Sequence, residues 1–201
     1  MLYIDGNGLV KSNRIKIKIF NNIEQGRMDK INGIIVHQTD TPEASHVFNS
    51  YSHPKSNGAH FLIDRDGTIY QTASLLKITW HVGKMKSRCL VTKKCEPAEL
   101  KRMADLEKKL TAKGFSDIEK IKPFPERYPA NVDSIGIEIV GKAQKENDQD
   151  PVYETVNNQQ NSALKWLVSE LLETLDISAS EVYKHPDVAR KNKTEASTAS
   201  W

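Results

Sequence analysis

The sequence has no long apolar run, no block of like charges and few cysteines, and each absence excludes a class of protein. Without about 18 consecutive apolar residues, no transmembrane helix is predicted, so we expect no membrane insertion. The stretch MLYIDGNGLVKSNRIKIKIF has no apolar segment of secretory length, so no Sec-type signal is predicted. A net charge of +3, without basic runs interleaved with aromatics, gives no reason to expect a nucleic-acid partner.

The two cysteines, Cys89 and Cys95, do not have the spacing of a CxxC metal knuckle. They leave two interpretations open. They form a short-loop disulfide if the protein works in an oxidising compartment, or they are two ordinary thiols.

The chain is long enough for one domain. It has 201 residues, of which 38% are hydrophobic, which suffices for a core. We predict a single domain over residues 1–201, with an N-terminal extension at 1–30 and an insertion at about 84–133. The insertion is charged and has too few apolar residues for a core of its own. Nothing indicates an obligate oligomer interface, so a monomer is expected.

Apolar periodicity predicts strands separated by helices. Strands are predicted at 14–20, within 31–39 ending at His37, at 59–73 as a hairpin, and at 134–141. Helices are predicted at 41–53 with Thr41 as the N-cap, at 97–115 ending near Gly114, and at 161–178, where leucines recur at helical spacing. This mixture predicts an α/β protein with a mixed central β-sheet flanked by helices.

Two histidines and a carboxylate are candidates for a metal site. His37 ends a buried predicted strand, where a lone histidine is more often a hydrogen-bonded structural residue. His185 and Glu195 near the end of the chain change this assessment, because catalytic zinc takes three protein ligands from imidazoles and carboxylates. Six histidines allow many other pairs, so the residues alone leave a zinc site and a structural role both open.

Five blocks occur in a fixed order along the chain: GIIVHQTDTP, AHFLIDRDGTIYQ, TWHVG, SIGIEIVG and HPDVARKNKTE. Together they resemble the zinc-dependent N-acetylmuramoyl-L-alanine amidases, whose fold is shared with peptidoglycan recognition proteins. The recycling-type branch is the most similar. The resemblance covers 31–83 and 134–198, and leaves 1–30 and 84–133 outside it.

The resemblance implies one catalytic zinc ion, and hydrolysis of the amide between N-acetylmuramic acid and L-alanine in peptidoglycan or muropeptides. It implies His37 and His185 as zinc ligands. The third ligand in this branch is usually an Asp two residues after a Lys, and here Glu195 follows Lys193 at that spacing. Asp187 is the less favoured alternative, because it lies only two residues from His185.

The resemblance also implies roles for residues beside the metal. Glu138 matches the general acid and base, although strand alternation alone favours a solvent-facing side chain. Lys193 is expected where negative charge develops on the carbonyl oxygen. His81 is expected to contact substrate, with a hydrogen bond to a backbone carbonyl as the structural alternative. Ala59 stands where phage and animal members carry a tyrosine.

Several biological settings fit these features. We expect an antibacterial effector, delivered to a neighbour's periplasm by a type VI secretion system, with an immunity protein as partner. A cytoplasmic recycling amidase and a phage lysin are alternatives. A peptidoglycan-binding module without activity is the main competing class, but such modules lose a metal ligand, whereas here the third ligand is altered rather than lost.

Overall fold

The computed structural model describes residues 1–145 and 149–201. The strands are β1 (Tyr3–Ile4), β2 (Val10–Lys11), β3 (Ile15–Ile17), β4 (Gly33–Gln38), β5 (Phe61–Ile63), β6 (Ile69–Gln71), β7 (Ser134–Ile139), β8 (Ala143–Gln144), β9 (Val152–Tyr153) and β10 (Val182–Lys184). The helices are α1 (Ala44–Tyr51), α2 (Arg88–Thr92), α3 (Pro97–Lys109), α4 (Ala112–Lys120), α5 (Asn158–Leu175) and α6 (His185–Val188). No helix in these described ranges is both long and apolar enough to cross a membrane.

Six strands form the central sheet, in the order β10-β4-β7-β5-β6-β3. β5 and β6 form the predicted antiparallel hairpin, and the other neighbouring pairs are parallel. The prediction of a mixed sheet flanked by helices is therefore confirmed. β3, from the N-terminal 30 residues, is an edge strand of this sheet.

Alternation along β4 and β7 gives the sheet two different faces. One face carries Val36 and Ile137, which belong to the largest apolar cluster together with Leu164, Leu167 and Leu171 of α5. The opposite face carries His37 and Glu138, which are register partners across the parallel pair. The apolar face thus holds the sheet against α5, and the opposite face carries the polar residues of the candidate site.

Helix α5 is the longest element. It begins in a capping box, in which Asn157 Oδ1 accepts from the Gln160 N–H and the Gln160 side chain accepts from the Asn157 N–H. It ends at Asp176, which takes a left-handed conformation. The predicted helix is confirmed, with its start three residues earlier than expected.

Two predicted helices differ from the structure. The predicted helix at 97–115 is two helices, because Leu110 is extended and Thr111 Oγ1 accepts from the Gly114 N–H to begin α4. Gly114 therefore lies inside a helix rather than at its end. The N-cap of α1 is Glu43 rather than Thr41, whose backbone instead pairs with Gly141.

The segment at 84–133 contains α2, α3 and α4, which meet around a small buried cluster of Cys89, Met103 and Phe115. Cys89 and Cys95 form a disulfide, so the first of the two sequence interpretations holds. The disulfide links α2 to the turn before α3.

Candidate active site

The candidate site lies where β4 and β10 end side by side. Lys184 of β10 is paired with Val36 of β4. The residues that follow them, His185 at the start of α6 and His37 of β4, are therefore also adjacent. The two imidazole rings lie 4.1 Å apart between centroids. Parallel pairing thus brings together two histidines that are far apart in the sequence.

Glu195 joins the two histidines from the C-terminal loop. Its Oε1 lies 2.8 Å from Nδ1 of His185 and 3.6 Å from Nδ1 of His37. All three side chains are buried, and one ligand atom from each lies within 4.8 Å of the others. We call these three residues the His–His–Glu cluster; they are the three residues predicted as metal ligands.

The hydrogen bonds of His185 fix where its proton lies. Nε2 is 2.9 Å from the carbonyl oxygen of Val82, which can only accept, so Nε2 carries a proton. In the neutral ring, Nδ1 then points a lone pair at the carboxylate of Glu195. Two lone pairs at 2.8 Å repel, so a proton or a metal cation must lie between them.

A chain of hydrogen bonds fixes the tautomer of His37 in the same way. The Ser134 hydroxyl donates to the Ala130 carbonyl at 2.6 Å and therefore accepts from Nε2 of His81 at 3.2 Å. Nδ1 of His81 is then an acceptor, and it faces Nε2 of His37 at 3.0 Å. His37 therefore has its proton on Nε2 and a free lone pair on Nδ1, directed toward Glu195.

The charge states of the cluster suit a cation. Burial, reinforced by the neighbouring His185, lowers the pKa of His37 to about 3, so the ring is neutral at neutral pH. Burial alone would raise the pKa of Glu195, but its close contacts with the imidazoles of His185 and His37 outweigh burial and lower that pKa to about 2. At neutral pH His37 is therefore neutral and Glu195 is ionised.

Glu138 lies beside the His–His–Glu cluster on β7. Burial, followed by the negative charge of Glu195, raises the pKa of Glu138 to about 8. Its Oε2 is buried and has no hydrogen-bond partner among the described residues. A carboxyl group with an orphaned oxygen beside a cavity is a candidate for proton transfer.

The structure does not bring Lys193 to this cavity. Lys193 lines a neighbouring hollow with Asp150 and Pro151, whereas Lys191 lines both that hollow and the cavity that holds Glu138. The positive charge of Lys191 also acts on the pKa values of His37 and Glu138. The sequence carries no signal for Lys191, because the family resemblance implies Lys193 for the positive charge.

The cavity has a volume of about 440 Å³ and opens to solvent beside Trp80, which is 42% exposed. Lys120 of α4 lines it as well, so the segment at 84–133 reaches the site. The hydroxyl of Tyr51 accepts from the Ala59 N–H at 3.2 Å within this cavity. A phenol from α1 therefore lies next to the position where the sequence lacks a tyrosine.

The residues present fit a zinc ion. Two imidazole lone pairs and a carboxylate converge, and the other nitrogen of each imidazole is engaged by a protein partner. Three protein donors and an adjoining open cavity are the arrangement of a catalytic zinc site, and outer hydrogen bonds of this kind hold ligating histidines in place.

A mixed sheet with a His–His–carboxylate cluster in an open cavity is typical of metal-dependent hydrolases. The N-acetylmuramoyl-L-alanine amidase family matches residues 27–197, and the chain belongs to this family. It is therefore an enzyme, a peptidoglycan amidase, and the prediction of an enzyme rather than a binding module is confirmed. Among curated protein sequences, none matches this chain.

Solved structures share the fold at low sequence identity. A selenomethionine derivative of AmpD is 18% identical with a TM-score of 0.57, over 96% of this chain and 90% of that one. AmpDh3 from Pseudomonas aeruginosa, in complex with an anhydromuramic pentapeptide, is 19% identical with a TM-score of 0.54, over 96% of this chain and 61% of its own. PlyL is 16% identical with a TM-score of 0.52, over 88% and 84%.

Proposed function

We propose that the protein is a zinc-dependent amidase that cleaves the bond between N-acetylmuramic acid and the L-alanine of the stem peptide. The observation that carries this proposal is the convergence of three ligand atoms within 4.8 Å in a cavity that also holds Glu138. When bound by His37, His185 and Glu195, zinc supplies a Lewis acid and lowers the pKa of water.

The protein's own residues then handle protons and charge. Glu138 accepts a proton from the attacking water and returns it to the leaving nitrogen of L-alanine. The ammonium of Lys191 stabilises the carbonyl oxygen as negative charge develops on it, the role predicted for Lys193. Lys191 is assigned this role because it lines the same cavity as Glu138.

We assign His81 a positioning role in place of the predicted substrate contact. Both of its ring nitrogens have protein partners, since Nδ1 faces His37 and Nε2 faces Ser134. Neither nitrogen is left to bind a muropeptide. Burial lowers the pKa of His81 well below its usual value, so the ring stays neutral and keeps the proton of His37 on Nε2.

Incubation of the purified protein with defined muropeptides tests the reaction. Mass spectrometry should find a free stem peptide that begins with L-alanine and a sugar that keeps its lactyl carboxylate. A chelator should stop the reaction and added zinc should restore it. Cleavage at another bond, or unchanged activity after a chelator has removed all metal, would contradict the proposal.

We further propose that the enzyme acts in an oxidising compartment, as an antibacterial effector against the cell wall of another cell. The Cys89–Cys95 disulfide supports this setting over cytoplasmic recycling, because disulfides rarely persist in the cytosol. An effector of this kind requires an immunity protein in the producing cell, and the open cavity is the surface that such a protein would block.

Expression in a Gram-negative host separates these settings. The chain carrying an added periplasmic signal should lyse the cells, and the same chain without the signal should not. The Glu138→Gln variant with the signal is the control and should be harmless. If the exported active enzyme is also harmless while the cytosolic form consumes anhydro-muropeptides, the recycling alternative is correct.

A further inference from the structure

Two consecutive residues orient both imidazoles of the His–His–Glu cluster. Nδ1 of His81 lies 3.0 Å from Nε2 of His37, and the carbonyl of Val82 accepts from Nε2 of His185 at 2.9 Å. A shift of this dipeptide would therefore disturb both rings at once.

One side chain holds the backbone of this dipeptide. Oδ1 of Asn131 accepts from the N–H of His81 at 3.1 Å and from the N–H of Val82 at 2.8 Å. A carbonyl oxygen has two lone pairs, so one amide group satisfies both donors. Asn131 belongs to the segment at 84–133, which lies outside the five sequence blocks that resemble the amidases.

The turn that carries Asn131 is itself fixed. The carboxylate of Asp133 accepts from the Ala130 N–H at 2.7 Å and forms a buried ion pair with Arg127 at 3.0 Å. Ser134 donates back to the carbonyl of Ala130 at 2.6 Å. These contacts hold the backbone turn from which the Asn131 side chain extends.

The ring of His81 also has no room to move toward β7. A Cβ added at Gly136 would lie 2.9 Å from Cγ of His81, which is too close for a real contact. Asn131 thus holds the backbone of the dipeptide, and Gly136 packs closely against the ring of His81 on the other side.

We propose that Asn131 is a positioning residue for the metal site, which sets the affinity of the His–His–Glu cluster for zinc through the His81–Val82 backbone. This inference rests on the proposed zinc function. Loss of an outer hydrogen-bonding partner of a ligating histidine typically weakens metal binding by about 10- to 100-fold. Asn131 contacts neither ligating histidine directly, but through the His81–Val82 backbone it affects the position of both.

The test compares zinc affinity with stability in the full chain. Asn131→Ala removes the acceptor, whereas Asn131→Asp keeps Oδ1. Asn57→Ala is the matched control, because Asn57 lines the same cavity and is exposed. Zinc dissociation constants are measured by competition with a chromophoric chelator, and thermal unfolding is followed on the metal-free proteins.

We expect Asn131→Ala to bind zinc about 10- to 100-fold more weakly, while Asn131→Asp and Asn57→Ala stay close to the wild type. A zinc affinity of Asn131→Ala equal to that of the wild type overturns this inference and leaves the proposed function standing. No zinc binding by the wild type overturns both. If Asn131→Ala does not fold, Asn131→Gln, which displaces the amide by one methylene, provides the same comparison.

Discussion

The pKa values of two carboxyl groups of the site are shifted in opposite directions. Glu195 is held ionised, with its pKa lowered to about 2, while burial raises the pKa of Glu138 to about 8. Environments that push two neighbouring carboxyl pKa values apart commonly divide their roles, with one group kept charged and the other exchanging protons. Glu195 has the character of a ligand and Glu138 that of a proton carrier.

Glu138→Gln should abolish most turnover, because the amide has nearly the same shape but cannot transfer a proton. We expect a fall in kcat of about 10²- to 10⁴-fold at unchanged zinc content. Muropeptide assays and metal analysis on the same preparation check this. Activity near that of the wild type would show that another group moves the proton.

Glu195→Gln should weaken zinc binding by more than about 100-fold, because it removes a charged ligand rather than an outer partner. Chelator competition measures the change. Asp187→Asn is the control, since Asp187 was the alternative ligand in the sequence, and it should keep the affinity of the wild type. Equal loss in both variants would contradict the assignment of the third ligand.

Lys191 and Lys193 provide a matched pair. Lys191→Ala should lower kcat/KM by about 10²- to 10³-fold, because it removes positive charge from the cavity where the oxyanion develops. Lys193→Ala, in the neighbouring hollow, should leave kcat/KM close to the wild-type value. Steady-state kinetics on one muropeptide tests both, and the reverse ranking would restore Lys193, the residue that the family resemblance implies.

Among the secondary-structure elements, those with strong periodicity or a turn signal, such as the β5–β6 hairpin, could be predicted, whereas β10 could not. β4, β7 and α5 have apolar patterns set by burial against one another, so the sequence carries their signal. β10 has only three residues and its signal is too short. It nevertheless places His185, so the meeting of the two histidines could be expected only from the family resemblance.

That Lys191 lines the cavity could not be expected from the family resemblance, because the loop before Glu195 turns sharply. The side-chain Oδ1 of Asn192 accepts from the Thr194 N–H at 2.8 Å, and its carbonyl accepts from the Glu195 N–H at 3.1 Å. Such a turn sends neighbouring side chains to different sides. Contacts between residues in space, rather than spacing, decide which lysine reaches the cavity.

The disulfide should stabilise the segment that holds α2 and α3. Its two cysteines are six residues apart, and closing a loop of this size contributes about 2 kcal/mol in the chain-entropy model. Replacing both cysteines by serine should lower the free energy of unfolding by about that amount in urea titrations.

Wild-type protein with a reductant should behave like this double variant, and the variant itself should not respond to the reductant. Identical unfolding curves for oxidised and reduced wild type would contradict the prediction. Zinc affinity should be the same in all of these samples, because neither cysteine contacts the cluster.

For the whole molecule, a buried histidine away from the cluster makes stability depend on pH. His60 donates from Nε2 to the Lys77 carbonyl at 2.9 Å, and its Nδ1 accepts from the Gly136 N–H at 3.1 Å. Burial lowers its pKa from 6.5 to about 4. Protonation of Nδ1 would break the bond to β7 and place an unpaired charge in the core.

The unfolded chain therefore binds this proton more readily than the folded one, so the stability contributed by His60 is lost as pH falls from 6.5 to about 4. The loss amounts to about 1.4 kcal/mol for each pH unit. The free energies of unfolding of the metal-free wild type and of His60→Gln, measured by urea titration, should become more similar as pH falls over this range. A difference independent of pH would contradict the assignment.

Finally, the pairing of His37 with Glu138 across β4 and β7 limits how the chain can change length. Successive residues of a strand face opposite sides. Inserting or deleting one residue ahead of either side chain would therefore turn it toward the apolar cluster between the sheet and α5. Length variation compatible with catalysis must therefore be confined to the connecting loops, and scanning single-residue deletions through both strands should yield only inactive enzymes.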